Sequence, residues 1–361
     1  MKILLQIFEK VSPIFEEGGK LSSMKPLYEA MENFFFAPSS KTLQAPFGRD
    51  PLDIKRYMSM VIIGLLPCVA AALYFFGLRV IPMIIVSYIA GGIVEVAFAV
   101  IRKEPIAEGF LVTGLIFPLV LPPTTPLWMV AIGCMFGVFV GKEIFGGTGR
   151  NLFNPAIVGR CFLLLAYPSE MSASWVKPGN GITGRLLEYI SATNVEVMTS
   201  ATPLVEASKH GLEDMSHLVL GSVAGCVGET SSLMIICGGV FLLLTKVGNF
   251  RTVVGILASS AAFQAILHGV NPEQYAPALW HLFAGGLLFG AFFMATDPVS
   301  SPSTKEGKWV YGILIGVITI LIRNFSGYVE GMMFAILLGN IAAPIIDEMV
   351  FSVRLRMLIN E

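Results

Sequence analysis

Three carboxylates stand inside or at the ends of long apolar stretches: Glu95, Glu229 and Asp297. A carboxylate within a membrane span costs about 3 kcal/mol on insertion scales, so it faces a partner or a water path. Asp297 lies in Met-Ala-Thr-Asp-Pro, where Pro298 breaks a helix. Backbone carbonyls freed beside a carboxylate suit a hard cation such as Na⁺, because hard ions take oxygen ligands. The plainer alternative for Asp297 is a helix cap or an ion pair with Arg323 or Lys308. All three acids are candidates for an ion path.

A second constellation runs Gly146-Gly-Thr-Gly-Arg-Asn-Leu-Phe-Asn154-Pro155. Its glycines let backbone approach a ligand closely. Asn154 followed by Pro155 predicts a helix start, with Asn as the cap and Pro in the first turn. A helix N-terminus favours anionic or electron-rich groups, so Arg150, Asn151 and Asn154 are candidate donors to an isoalloxazine or quinone carbonyl. The spacing is not a dinucleotide fingerprint, since it follows an apolar helix and not a strand. Gly91 and Gly92 lie one turn before Glu95. They read either as close helix packing or as a groove admitting a flat ring such as a quinone. Thr202, in Ser200-Ala-Thr-Pro-Leu204, is a loop hydroxyl at the start of a turn.

Other chemistry-bearing residues point nowhere specific. His210, His217, His268 and His281 lack metal-ligand spacing and read as ordinary polar contacts. The cysteines Cys68, Cys134, Cys161, Cys226 and Cys237 form no CxxC pair and read as buried small hydrophobes. An iron–sulfur ligand shared with another protein chain is the minority alternative. No catalytic residue and no metal site is assigned.

These residues need elements to hold them, and composition says which. Of 361 residues, 55% are hydrophobic and only 14% charged, against about 25% in soluble domains. The net charge of −1 gives no bulk attraction for nucleic acid. Glu9 and Lys10 interrupt the first apolar run too early for a signal peptide. Ten apolar stretches approach the roughly 20 residues a bilayer-crossing helix needs: near 57–77, 80–101, 109–122, 126–144, 154–167, 217–245, 252–269, 278–296, 309–325 and 330–350. The third and fifth are short, and Gly225, Gly228 and Glu229 break the sixth. With the N-terminus cytoplasmic, eighteen Lys and Arg fall on that side and five on the other, a strong positive-inside bias. Both termini are expected in the cytoplasm.

Segments 109–140 and 286–317 share a Gly-rich helix, a Pro-containing break, a polar turn and a Trp-led helix. Segments 154–165 and 330–340 correspond loosely. The expected fold is therefore an all-α polytopic membrane protein of about ten spans, arranged as a 5+5 inverted repeat with broken helices. Its parts are a cytoplasmic N-terminal segment (1–56) and a first five-helix repeat (57–167). A non-cytoplasmic loop (168–216), a second repeat (217–350) and a cytoplasmic tail (351–361) follow. Phe34, Phe35 and Phe36 fit an amphipathic cap over a quinone entry. From composition and repeat alone, a small-solute channel or transporter is an open alternative.

Further motifs narrow the choice. They are Phe8-Glu-Lys10 with Gly18-Gly-Lys20, Arg49-Asp50, Lys55-Arg56, Arg102-Lys103, Glu108-Gly-Phe110, Pro122-Pro-Thr124 and Lys142-Glu-Ile-Phe-Gly-Gly-Thr-Gly-Arg-Asn151. Met294-Ala-Thr-Asp-Pro298, Gly307-Lys-Trp309 and Glu330-Gly-Met-Met333 continue the set. Over nearly its full length the chain resembles the NqrB subunits of Na⁺-translocating NADH:quinone reductases. The RnfD subunits of ferredoxin:NAD⁺ oxidoreductase complexes are a sister family. The short link between the first two spans and the Ala-Thr-Pro-Leu form of the loop motif lean toward the sister. The N-terminal extension and the Lys142–Asn151 block decide for the NqrB side.

The resemblance implies FMN joined by a phosphoester to Thr202, a noncovalent riboflavin, a bound quinone and Na⁺ translocation. It also implies five partner subunits in a bacterial inner membrane. This chain lacks the Gly that the family carries before Ala201. Thr193, in Ser191-Ala-Thr, lacks the Pro-Leu continuation and is not favoured.

Overall fold

The computed structural model describes residues 54–103, 109–172, 175–176, 178–179, 189, 203–204, 212–326, 328 and 330–360. Thr202, Thr193, His210, the 1–53 segment with its Phe34–Phe36 run, and Glu108 lie outside them. Among the described residues there is helix and no strand, apart from a single bridge between Gly77 and Tyr189.

The first half contributes α1 (Ile54–Phe76), α2 (Val80–Arg102), α3 (Gly109–Leu119), α4 (Leu127–Gly141) and α5 (Pro155–Ala166). A short α6 (Pro168–Ser172) follows. The sixth span is broken, as its glycines predict, into α7 (Met215–Leu220) and α8 (Ser232–Leu244). Then come α9 (Phe250–Val270) and a second broken span. That span is α10 (Ala278–Phe283), α11 (Leu287–Phe289) and a π-helical turn (Gly290–Met294). The chain finishes with α12 (Lys305–Phe325) and α13 (Met332–Asn360). Two boundaries differ from expectation. The span near 278–296 is interrupted at Ala284–Gly286, where Gly285 takes φ +65°. The last helix runs on through 351–360, past the expected end of the tenth span at 350, because nothing after Pro344 breaks it.

Among the described residues six helices are long and apolar enough to cross a membrane: α1, α2, α4 taken with its continuation to Phe145, α9, α12 and α13. The protein is therefore multi-pass. The others are too short. α3 has 11 residues, which at ~1.5 Å per residue covers about 16 Å, half the hydrocarbon thickness. Such pieces survive only when enclosed by protein, because lipid cannot satisfy exposed backbone. Accordingly Gly114–Leu119 of α3 and the whole π turn are buried, while α2 turns Ile81, Ile85, Ile89 and Ile93 outward.

The pairings repeat in both halves. α2 packs on α4 as α9 packs on α12, and α4 on α5 as α12 on α13. α2 meets α3 as α9 meets α10, and α1 meets α3 as α8 meets α11 and the π turn. The halves join where α1 meets α8 and α5 meets α13. At the first seam backbones nearly touch: a Cβ on Gly238 would lie 1.9 Å from the Gly64 carbonyl oxygen. The broken segments also complete each other. Val227 N–H donates to Leu121 O (3.0 Å) and Gly228 N–H to Leu119 O (2.7 Å). Arg79, in the short link between α1 and α2, donates to the Thr125 (2.9 Å) and Thr124 (3.3 Å) carbonyls of the turn after α3. Burial pulls its guanidinium below the usual arginine pKa.

Candidate functional site

Two cavities lie toward opposite ends of the half-helices. The first, with about 720 Å³ of empty space counting its opening to solvent, is bounded by both halves: α1 (Tyr57, Val61), α3 (Val112, Thr113, Ile116), the α4–α5 link (Lys142, Thr148, Asn151, Asn154), and Phe293 with Thr296 to Val299. Asn154 caps α5 as predicted, its Oδ1 accepting from Ala156 N–H at 3.1 Å. Its Nδ2 reaches the Met294 carbonyl at 3.5 Å, tying the halves together. Asn151 donates to Phe153 O (3.1 Å), and Tyr57 to Val247 O (2.7 Å). Asp297 accepts from Ser300 Oγ (2.8 Å) and Val299 N–H (3.3 Å). It pairs with neither Arg323 nor Lys308, the partners weighed from sequence. Thr148 Oγ1 is buried with no hydrogen-bond partner among the described residues.

This cavity brings together Asn151, Asn154 and Asp297. Arg150 is not in its wall: the side chain is exposed and folds over Gly146. Gly146, Gly147 and Gly149 serve the loop's shape, all three at positive φ. Glu95 sits behind the wall, where its Oε1 accepts from Lys142 Nζ at 2.7 Å. Gly91 is a packing glycine, since a Cβ there would meet Phe110 at 2.5 Å and Cys134 Sγ at 2.8 Å. Gly92 has more room, with only Phe110 at 3.5 Å.

The second cavity, about 420 Å³, is lined by Trp175, Pro203, Leu204, Gly225, Cys226, Glu229, Thr230, Phe283, Gly285 and Glu330 among others. Beside it lies a buried charge cluster. Arg160, mid-way along α5, donates to Glu229 Oε1 (2.9 Å), to Cys226 Sγ (3.2 Å) and to Glu330. Glu330 Oε1 accepts from Gly286 N–H (2.7 Å). Arg323 donates to the His281 (2.8 Å) and Ala284 (2.9 Å) carbonyls. The acid and the base thus satisfy the N–H and C=O groups that the break at 284–286 leaves open. Two carboxylates and two guanidiniums balance in charge. Glu229 is therefore remote from the Asn154 cavity and locked to Arg160. Sequence reading missed this cluster, although an arginine inside an apolar helix demands a buried acid.

Both cavities suit flat, mostly apolar ligands held by a few polar atoms. The first offers a hydroxyl with no hydrogen-bond partner among the described residues (Thr148), two amides and an ammonium turned behind its wall. Among the described residues of its wall the one cation is Lys142. The second is lined by the two residues that directly follow Thr202 and by Trp175, and by Thr230, whose buried hydroxyl has no hydrogen-bond partner among the described residues.

The cysteines divide: Cys68, Cys134 and Cys226 are buried, Cys161 is half-buried and Cys237 is exposed. The expectation of uniform burial therefore fails for Cys237, which faces outward from α8. His217 contacts Glu213 (3.0 Å) and His268 the Tyr275 carbonyl (2.6 Å), as ordinary polar contacts.

A family model described as the NQR2, RnfD, RnfE family matches residues 41–355. Three similar relatives each carry the name of the B-type subunit of Na(+)-translocating NADH-quinone reductase. Those of Pseudomonas paraeruginosa, Azotobacter vinelandii and Klebsiella pneumoniae (strain 342) are 38%, 37% and 36% identical, with 98% of each chain covered.

Proposed function

Since the chain belongs to the NQR2, RnfD and RnfE family, we propose that it is the membrane subunit of a Na⁺-translocating NADH:quinone oxidoreductase and carries electrons through the bilayer. FMN esterified to Thr202 serves the Leu204 cavity, and a noncovalent riboflavin serves the Asn154 cavity. Quinone takes the electrons beyond α2, near Gly92. Flavins supply one- and two-electron transfer, and the protein supplies position and electrostatics.

The residues divide the work. Pro203 and Leu204 deliver the tether to a pocket walled by Trp175 and Phe283. Arg160 and Arg323, with Glu229 and Glu330, give that pocket a charge-balanced floor. Asn151, Asn154 and Thr148 offer hydrogen bonds to a ring at the other end. Asp297, in the turn after the π helix, offers Na⁺ a carboxylate among backbone carbonyls, whereas Glu95, expected from sequence on the ion path, is paired with Lys142 behind the wall. The observation that carries the reading is a pair of cavities, one between the two repeats and one lined by the residues next to Thr202. The positive-inside bias supports both termini in the cytoplasm of an inner-membrane protein, with Thr202 on the far side. The relatives are named as one subunit of a reductase, which supports a multisubunit complex, with five partners as the family resemblance has it.

Mass spectrometry of the purified chain tests this. The peptide containing Thr202 should carry an FMN-sized adduct that Thr202→Ala abolishes. An unmodified wild-type peptide, from cells that contain the attaching enzyme, overturns it. The Ala-Thr-Pro-Leu motif and the three-residue link between α1 and α2 favour a second reading, the RnfD component of an Rnf-type complex. Gentle purification separates the two by the partner proteins recovered. A colourless protein that passes solute by itself would instead return the channel alternative.

A further inference from the structure

The Lys142–Glu95 pair is a costly thing to bury, and its structural use is already met elsewhere. Both side chains are about 5% exposed, at 2.7 Å. Glu95 Oε2 has no hydrogen-bond partner among the described residues. If the pair served only to dock α2 on α4, it would be redundant. Arg102 already grips Glu143, one residue along, at 2.7 Å and also binds its carbonyl oxygen. Gly91 lets α2 close on Cys134 a turn further back. A buried ion pair is also a poor substitute for apolar packing as a source of stability.

Its position offers another use. Lys142 belongs to the wall of the Asn154 cavity, while its ammonium points to Glu95 behind that wall. The cavity's other ionisable wall residues are Asp297, turned to Ser300 and Val299, and Tyr57, hydrogen-bonded to Val247. Lys142 is the cation among them. In a low-dielectric surrounding a charge one side chain away acts strongly on any ring in the cavity.

We infer that Lys142 sets the reduction potential of the ring held in the Asn154 cavity, and that Glu95 positions and tempers its charge. This rests on the assignment of a noncovalent flavin to that cavity. Both are positioning residues; neither exchanges electrons.

The test is a spectroelectrochemical titration of the noncovalent flavin in the purified complex, with flavin content measured after denaturation. Lys142→Gln should lower the midpoint potential, because an electron-rich ring loses a nearby cation. Glu95→Gln should raise it, because the cation is no longer offset. The double variant should fall between them, and Lys142→Arg should stay near wild type. Flavin present at wild-type content with unmoved potentials overturns the inference alone. Single variants that move the potential in the same direction also overturn it, since a loosened fold would do that. A wild-type complex that releases no noncovalent flavin overturns the cavity assignment itself, and this inference with it.

Discussion

Arg160 shows how far a single residue can reach. It serves two carboxylates from different parts of the chain, at sequence separations of 69 and 170 residues. Arg160→Met would leave both acids buried without their partner, a class of change that costs about 3–5 kcal/mol. The detergent-purified complex should melt at a clearly lower temperature. Adding Glu229→Gln and Glu330→Gln should recover part of the loss, because neutral amides tolerate burial better. An unchanged melting temperature in the single variant would mean that the cluster is solvated. The need for a partner was legible in the sequence as an arginine within an apolar run. Which acid answers it was not, because ion pairing across the fold leaves no local spacing. Asn154 is the opposite case. Its cap depends on the residue itself and on Pro155, so two adjacent letters were enough.

Elements follow the same division. Long helices could be read from apolar length, and the break in the sixth span from Gly225, Gly228 and Glu229. The break at Ala284–Gly286 escaped notice because the segment stays apolar throughout. The signal available was the Gly285-Gly286 pair, and the compensation comes from Arg323 and Glu330 far along the chain. The π turn could not be read at all, since its register depends on Gly290 admitting Met332 from α13. Glycines in the helices divide by what faces them. Gly238→Ala would push a methyl group into the Gly64 carbonyl, so the seam between halves should not close. The expected result is little or no assembled protein by size-exclusion chromatography. Gly269→Ala meets open space and should leave assembly unchanged, or gain up to about 1 kcal/mol from helix propensity. Equal yields of the two variants would contradict the seam.

At the scale of the molecule, composition and repeat were readable because membrane spans impose length, and duplication leaves a compositional echo. The two cavities were not, since each is lined by residues scattered over more than a hundred positions. Reporter fusions test the proposed orientation: tags at either terminus should report from the cytoplasm, and a tag in the loop carrying Thr202 from the opposite side. A cytoplasmic signal from that loop would put the tether on the wrong face for the proposed electron path.

The shortness of the enclosed helices has an electrical consequence. Pro155 borders one cavity and Arg160 the floor of the other, five steps apart, or about 8 Å of rise. The insulating septum between the two ends is therefore far thinner than the ~30 Å of hydrocarbon around it. On the proposed path a charge that crosses from one cavity to the other moves about 8 Å, and whatever share of the transmembrane potential falls across that step acts on it at roughly 2.3 kcal/mol per charge for each 100 mV.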